Sequence, residues 1–175
     1  ANHQGVVAVA AVKEYATVED LFRRAQEKDE PPFFVVCDEL EDPHNLGAIL
    51  RTADGAGVDA VIAPRDKSVG ITETVLRVSV GAAEKVPFIQ VTNLARTMKQ
   101  LQSRGIWIFG TSDKGDRGLY ETDFTGPAAL VMGAEGEGAV EGTAMNVRIL
   151  RAEKKVSLLS YVLTELSAPE ELEQT

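Results

Sequence analysis

Two stretches of the chain bring together residue types that could bind or position a ligand. In the first, Asn45 and Arg51 lie in a predicted helix that follows an apolar run typical of a buried strand. An arginine in the first two turns of a helix that leaves the carboxyl end of a strand is well placed to hold a phosphate. A simpler alternative stays open, in which Asn45 is the helix N-cap and Arg51 pairs with Asp54 or Asp42.

The second stretch, residues 133–138, combines three glycines with two glutamates directly after another apolar run. Glycines at the carboxyl end of a parallel strand let the backbone approach a ligand closely, which is where such sheets bind cofactors. The two carboxylates disfavour a phosphate-binding loop and suit a ligand with hydroxyl groups and positive charge. An ordinary glycine-rich turn is the alternative.

Other candidate residues give little support for chemistry. His3 and His44 have no serine or cysteine partner pattern, so a hydrolase triad is not indicated. Acidic residues without histidine or cysteine neighbours do not make a transition-metal site, and no metal is expected. Cys37 and Trp107 both lie in apolar strand patterns and are predicted to be core residues.

Composition narrows the class of protein. The 175 residues are 44% hydrophobic and 26% charged, which is ordinary for a globular domain. No apolar run approaches the roughly 18 residues of a membrane span, and a single cysteine excludes a disulfide framework, so a cytoplasmic location is expected. The net charge of −9 argues against a freestanding nucleic-acid binder, although basic residues between positions 65 and 104 leave a local basic surface open.

These stretches are positioned by alternating strand and helix patterns. Short apolar runs separated by amphipathic helices predict one α/β domain with an open, mostly parallel sheet and flanking helices. The predicted helices cover residues 17–28, 45–56, 72–80 and 93–104. The predicted strands lie within residues 1–15 and at 33–38, 58–64, 86–91, 105–111 and 127–133, and residues 147–166 predict a further short strand and a helix.

Together the two stretches resemble the SPOUT superfamily of RNA methyltransferases, in the SpoU/TrmH branch that methylates the ribose 2′-hydroxyl. The first motif of that branch, Asn-Leu-Gly followed by Arg-Thr-Ala, stands at residues 45–53. The second, an apolar strand running into Gly-x-Glu-Gly-x-Gly, ends at residues 133–138. The likeness covers residues 2 to about 139. It is strongest to the members of the branch that act on ribosomal RNA, of the 23S rRNA guanosine 2′-O-methyltransferase type.

The resemblance implies a parallel sheet with a C-terminal trefoil knot and S-adenosylmethionine bound in the knot loops. It also implies a homodimer with active sites at the interface, and ribosomal RNA rather than tRNA as the substrate. Relatives often have a small N-terminal RNA-binding domain. Residues 1–175 are therefore expected to be the catalytic domain alone, with residues 1–5 as a remnant of a linker.

The resemblance also implies roles for individual residues. Arg51 would hold the phosphate of the target ribose and assist in taking its 2′-hydroxyl proton, a secondary role because a guanidinium stays protonated in proteins. The implied catalytic residues are Arg51, Asn45, Glu135 and Ser157. The implied cofactor-binding residues are Gly133, Ala134, Gly136, Gly138, Ile149 and Leu158.

The third motif of the branch is altered in this chain. Relatives have Ile-Pro-Met and then Ser-Leu-Asn-x-Ser, whereas this chain has Ile-Leu-Arg at residues 149–151, and Leu159 replaces the asparagine. A second hypothesis is therefore a non-catalytic RNA-binding or ribosome-assembly protein with impaired cofactor binding. A generic flavodoxin-like nucleotide-binding domain would fit the strand and helix pattern but would leave both motifs unexplained.

Overall fold

The computed structural model describes residues 17–28, 30–112, 121–132 and 148–151. Helices and strands alternate within these ranges, as the sequence pattern predicts. The helices are α1 (Val18–Glu27), α2 (Pro43–Gly55), α3 (Glu73–Ser79), α4 (Ala82–Lys85) and α5 (Leu94–Ser103). The strands are β1 (Phe33–Cys37), β2 (Ala60–Pro64), β3 (Phe88–Val91), β4 (Trp107–Ser112), β5 (Ala128–Met132) and β6 (Arg148–Arg151).

The six strands form one sheet in the order β3-β2-β1-β5-β4-β6, and each neighbouring pair is parallel. Among the described strands, β2 and β3 follow β1 on one side of it, and β4, β5 and β6 lie on the other side, with β5 inserted between β1 and β4. The direction of building therefore reverses between β1 and β5. The predicted open parallel α/β sheet is confirmed.

The central strand β1 is apolar throughout because helices cover both faces of the sheet. Val35 and Cys37 pack into a core with residues of α2, α3 and α4. Phe34 and Val36 point to the opposite face and pack with residues of α1 and α5. The alternation along β1 thus fills two cores, one on each side of the sheet.

The predicted helices form close to their expected bounds. Thr17 caps α1 in a capping box, since its hydroxyl accepts from the Asp20 backbone N–H and the Asp20 carboxylate accepts from the Thr17 N–H. Thr72 caps α3 and Asn93 caps α5 by the side chain alone, since their side-chain oxygens accept from the backbone N–H of Val75 and of Arg96. The short helix α4, which follows α3 directly, was not predicted because four residues give no periodic pattern.

The prediction that Trp107 is a core residue is wrong, because its side chain is 53% exposed. Trp107 is the first residue of β4 and alternates with the buried Ile106 and Ile108, so it points to the opposite face. Among the described residues, the neighbouring strand β6 begins at Arg148, opposite Phe109. An apolar strand pattern therefore gave the correct element and the wrong environment for its terminal residue.

Two predicted elements lie outside the described residues. These are the leading strand within residues 1–15 and the helix that follows β6. The predicted strand within residues 147–166 is confirmed as β6, which pairs with β4. The trefoil knot also depends on segments outside the described ranges, so it stays a prediction.

Candidate functional site

The two chemistry-bearing stretches leave adjacent strands at the same edge of the sheet. The backbone N–H of Asp38, directly after β1, donates to the carbonyl oxygen of Met132, the last residue of β5, at 2.9 Å. Gly133 follows Met132 in the chain, and α2 begins five residues after Asp38. The carboxyl ends of β1 and β5 therefore meet where the strand order reverses, the usual ligand-binding position in open parallel sheets.

The loop after β1 is tied to the loop after β2. The Leu40 N–H donates to the Lys67 carbonyl at 3.0 Å, and the Val69 N–H donates to the Leu40 carbonyl at 2.7 Å. Glu39 and Lys67 both have positive φ angles, 56° and 64°, and their side chains form an ion pair. Left-handed backbone at two non-glycine residues costs free energy, which the paired loops offset. These contacts fix the segment from which α2 begins.

The N-cap of α2 is Asp42, and the interpretation of Asn45 as the cap is wrong. The Asp42 carboxylate accepts from the His44 backbone N–H at 2.8 Å, and Pro43 occupies the first helical position. Proline fits there because its fixed φ suits the helix and the missing N–H would have no partner within the helix. Asn45 lies one turn further on, half-buried, and within the described ranges its side-chain amide makes no hydrogen bond.

Arg51 is exposed, and it makes no ion pair with any residue that the structure describes. The carboxylate of Asp54 instead pairs with Lys85 at 3.2 Å, and that of Asp42 caps the helix. Because α2 begins at Pro43 rather than at Asn45, Arg51 lies eight residues into it, about 12 Å along the axis. Arg51 therefore lies just beyond the first two turns of α2, in which the sequence pattern places it.

Gly47, the glycine of the first motif, lies where α2 packs against α3. A Cβ atom at Gly47 would lie 2.6 Å from Cβ and 2.8 Å from Cγ1 of Val78, and 3.3 Å from the backbone nitrogen of Ser79. Any side chain here would push the two helices apart. The requirement for glycine in Asn-Leu-Gly is thus a packing requirement that sets the distance between α2 and α3.

The remaining predicted site residues fall mostly outside the described ranges. Ile149 lies in β6, opposite Gly110 of β4, and β6 ends opposite Ser112 at the carboxyl edge of the sheet. The strand ends of β5, β4 and β6 are therefore collected at one edge. The predicted residues outside the described ranges are Gly133, Ala134, Glu135, Gly136, Gly138, Ser157 and Leu158.

Burial raises the pKa of two groups at the end of β1, the thiol of Cys37 and the carboxyl of Asp38. Cys37 is buried, and burial raises the pKa of its thiol to about 12, with a smaller contribution from the Asp38 charge. It therefore stays protonated, and its interpretation as a core residue is confirmed. Partial burial also raises the pKa of Asp38, with Glu39 adding to the rise and Lys67 opposing it.

The sequence reasoning missed Val80, which follows α3. Val80 has a left-handed backbone (φ 51°) and is 75% exposed. Gly81, with φ 87°, indicates a helix end in the sequence, because glycine commonly adopts the left-handed conformation there. It gives no indication that the preceding valine adopts this conformation too.

No group of three or more metal-binding side chains occurs among the described residues. In the same ranges, no helix is both long and apolar enough to cross a membrane.

The comparison with known sequences gives strong matches. Residues 32–152 match the SpoU rRNA Methylase family. The chain is 57% identical over 137 residues to the 23S rRNA (guanosine-2′-O-)-methyltransferase RlmB of Ralstonia nicotianae, covering 78% of this chain and 54% of that protein. It is 50% identical over 137 residues to the TrmH family tRNA/rRNA methyltransferase YacO of Bacillus subtilis, covering 55% of that protein. The chain thus spans about half the length of these relatives.

Solved structures support the fold. The SpoU methyltransferase AviRb from Streptomyces viridochromogenes, in complex with AdoMet, matches with a TM-score of 0.68 and 24% identity, covering 80% of this chain and 58% of AviRb. The TrmH/SpoU tRNA modifying enzyme of A. aeolicus matches with a TM-score of 0.67 and 22% identity, covering 85% of this chain and 83% of that one. At these identities the likeness concerns the path of the backbone.

Proposed function

The chain belongs to the SpoU rRNA methylase family, and on that premise we propose that it transfers a methyl group from S-adenosylmethionine to a ribose 2′-hydroxyl of ribosomal RNA. The main support is the hydrogen bond between Asp38 and Met132, which brings the origins of both motifs together at the switch point of the sheet. Sequence relatives named for 23S rRNA favour ribosomal RNA over tRNA as the substrate.

The carboxyl edge of the sheet fits S-adenosylmethionine. Three parallel strand ends, those of β5, β4 and β6, lie side by side there, and a glycine-rich segment follows the first of them. Such a segment lets backbone N–H and C=O groups approach a ligand without obstruction by side chains. When bound, the cofactor supplies an activated methyl group on a sulfonium. The residues proposed to hold it are Gly133, Ala134, Gly136, Gly138, Ile149 and Leu158.

Arg51 is proposed to hold the phosphate beside the target ribose. Its guanidinium is exposed, and no described carboxylate pairs with it, so an RNA phosphate can take that place. Methyl transfer is an in-line displacement, for which correct placement of the two reactants supplies much of the rate. Loss of the 2′-hydroxyl proton would be assisted by Arg51 only secondarily, because the guanidinium stays protonated.

The other proposed roles follow the family. Asn45, half-buried and with a side chain that makes no hydrogen bond within the described residues, would shape the loop around the target nucleotide. Glu135 would order the glycine segment, and Ser157 would complete the site from the C-terminal segment. The homodimer, the trefoil knot and the cytoplasmic location are proposed on the same family likeness, and the single sheet of the described part supports one catalytic domain.

A non-catalytic RNA-binding or assembly protein is the second candidate, and Leu159 favours it. Family members have an asparagine at this position in the third motif, and leucine has no group that could replace its hydrogen bonds. The two candidates differ in cofactor binding. Calorimetric titration with S-adenosylmethionine should show micromolar binding near one per protomer, whereas no binding to a folded chain would favour the second candidate.

The catalytic proposal is tested by methyl transfer to ribosomal RNA, with resistance of the modified linkage to alkali as evidence for 2′-O-methylation. Arg51→Ala should lower kcat/KM by about 100-fold or more, because misplacement of the reactants costs a factor of this order. Its circular dichroism and melting temperature should match those of the parent chain, since Arg51 is exposed.

The matched control for Arg51→Ala is Arg24→Ala. Arg24 is an exposed arginine on α1, which packs on the opposite face of the sheet, so its removal should leave methyl transfer within a factor of about two. Equal activity of both variants would remove Arg51 from the mechanism.

A further inference from the structure

The junction between α3 and α4 is strained and exposed. Val80 and Gly81 follow one another with left-handed φ angles of 51° and 87°. Glycine adopts this conformation at no steric cost, whereas a β-branched residue there is an outlier. Val80 also leaves 75% of its surface exposed, so burial of its own side chain does not compensate for the strain. Residues that keep such a conformation are frequent at binding sites.

The packing of α2 places Arg51 beside this junction. At one point along α2, Gly47 lies against Val78 of α3. Seven residues later, the Asp54 carboxylate pairs with Lys85 of α4 at 3.2 Å. Arg51 lies between these two contacts on the same flank of the helix, so it is level with the chain that connects α3 to α4.

The last turns of α3 carry exposed apolar and cationic side chains. Leu76 is 45% exposed and lies one turn before Val80 on α3, and Arg77 is exposed next to it. Within the described ranges neither Arg51 nor Arg77 has an ion-pair partner. The Val80 patch is defined here as Arg51 and Val80.

A nucleotide matches this combination of groups. Its base and ribose have apolar faces that pack on exposed side chains, and its phosphates pair with guanidinium groups.

We propose that Val80 is a substrate-binding residue, against which the base or ribose of the target nucleotide packs while Arg51 holds the adjoining phosphate. The proposal rests on the proposed methyltransferase function and adds an apolar contact surface to its substrate site. It explains why an exposed valine occupies a left-handed position that glycine or asparagine would fill with less strain.

The test separates the backbone strain at Val80 from its apolar surface. Val80→Asn keeps a residue that tolerates the left-handed conformation but removes the apolar face, so the melting temperature should stay or rise while kcat/KM for ribosomal RNA falls by about tenfold. Val80→Ile keeps an apolar face at this position and should lose much less activity than Val80→Asn. Affinity for a ribosomal RNA fragment, followed by fluorescence anisotropy, should fall more for Val80→Asn than for Val80→Ile.

Three results would overturn the proposal. If Val80→Asn keeps the parent kcat/KM while Arg51→Ala is inactive, Val80 does not touch the substrate, and the methyltransferase function stands. If Val80→Asn loses activity and sedimentation shows that this variant is monomeric while the parent chain is dimeric, the patch is a subunit interface instead. A parent chain that neither methylates nor binds ribosomal RNA would reject the proposed function and this proposal together.

Discussion

Replacing Gly47 by alanine tests whether the first motif needs glycine for packing. The added Cβ would lie 2.6 Å from Val78 Cβ, a separation that real Cβ atoms essentially never show. Val78 Cβ is attached directly to the backbone, so a rotamer change cannot relieve the contact. Either α3 moves away from α2 or the helices carry the strain.

The size of the effect is set by two opposed contributions. Alanine favours a helix interior over glycine by about 1 kcal/mol. Overpacking a close contact costs about 1–3 kcal/mol, and a contact with backbone-attached atoms belongs in the upper part of that range. The net expectation is a loss of about 1–2 kcal/mol, or a fall of roughly 2–8 °C in melting temperature for a chain of this size.

Urea denaturation of matched variants provides the assay. Gly55→Ala makes the same chemical change at the end of the same helix, where nothing lies within 4 Å of the new Cβ, so stability should rise by up to about 1 kcal/mol. Val78→Ala keeps the offending Cβ and should not rescue Gly47→Ala. Val78→Gly removes it, and in that background Gly47→Ala should become stabilising.

The signs of these stability changes decide whether packing explains the glycine at position 47. If Gly47→Ala is as stable as the parent chain or gains stability as Gly55→Ala does, the packing explanation for the Asn-Leu-Gly glycine is wrong. If Val78→Ala rescues it as fully as Val78→Gly, the contact with Cγ1 rather than Cβ is the important one.

Two further predictions concern the carboxylates around β1. Asp59 pairs with Lys28 and accepts from the Phe33 backbone N–H at 2.8 Å, so Asp59→Ala should cost about 1–3 kcal/mol in urea denaturation. Asp59→Asn, which keeps an acceptor, should cost less, and equal losses would contradict a role for the Phe33 bond. For Asp38, burial raises the pKa, so the folded state binds the proton more tightly and stability falls as pH rises above the ordinary value of 3.8. Asp38→Asn should therefore gain stability relative to the parent chain at pH 7 and lose that advantage near pH 3, and a pH-independent difference would contradict it.

Local sequence patterns predicted the elements well and their ends less well. The amphipathic pattern at residues 45–56 predicted the helix α2, whose apolar residues Leu46, Leu50 and Ala53 are all buried. Its N-cap was placed three residues late because Asn45 suits a cap, whereas Asp42 followed by Pro43 suits one better.

The candidate site was predictable only as far as the sheet determines it. Parallel strands collect their carboxyl ends at one edge, so the two motifs could be expected to meet there. The position proposed for Val80, beside Arg51, depends instead on how α2 packs against α3 and α4. The close contact at Gly47 and the ion pair at Asp54 belong to that packing, and no local pattern contains them.

The position of β1 at the centre of the sheet has a consequence for synthesis on the ribosome. One edge of β1 pairs with β2, and Phe34 lies opposite Ala60, only 26 residues later in the chain. The other edge must wait for β5, because Phe33 pairs with Ala128, which is 95 residues further on. At about 5–20 residues per second, that apolar edge is unpaired for roughly 5–20 s of translation. During this interval the nascent chain presents the Phe-Phe-Val-Val-Cys strand as a template for wrong pairing, so chaperone dependence should concentrate there.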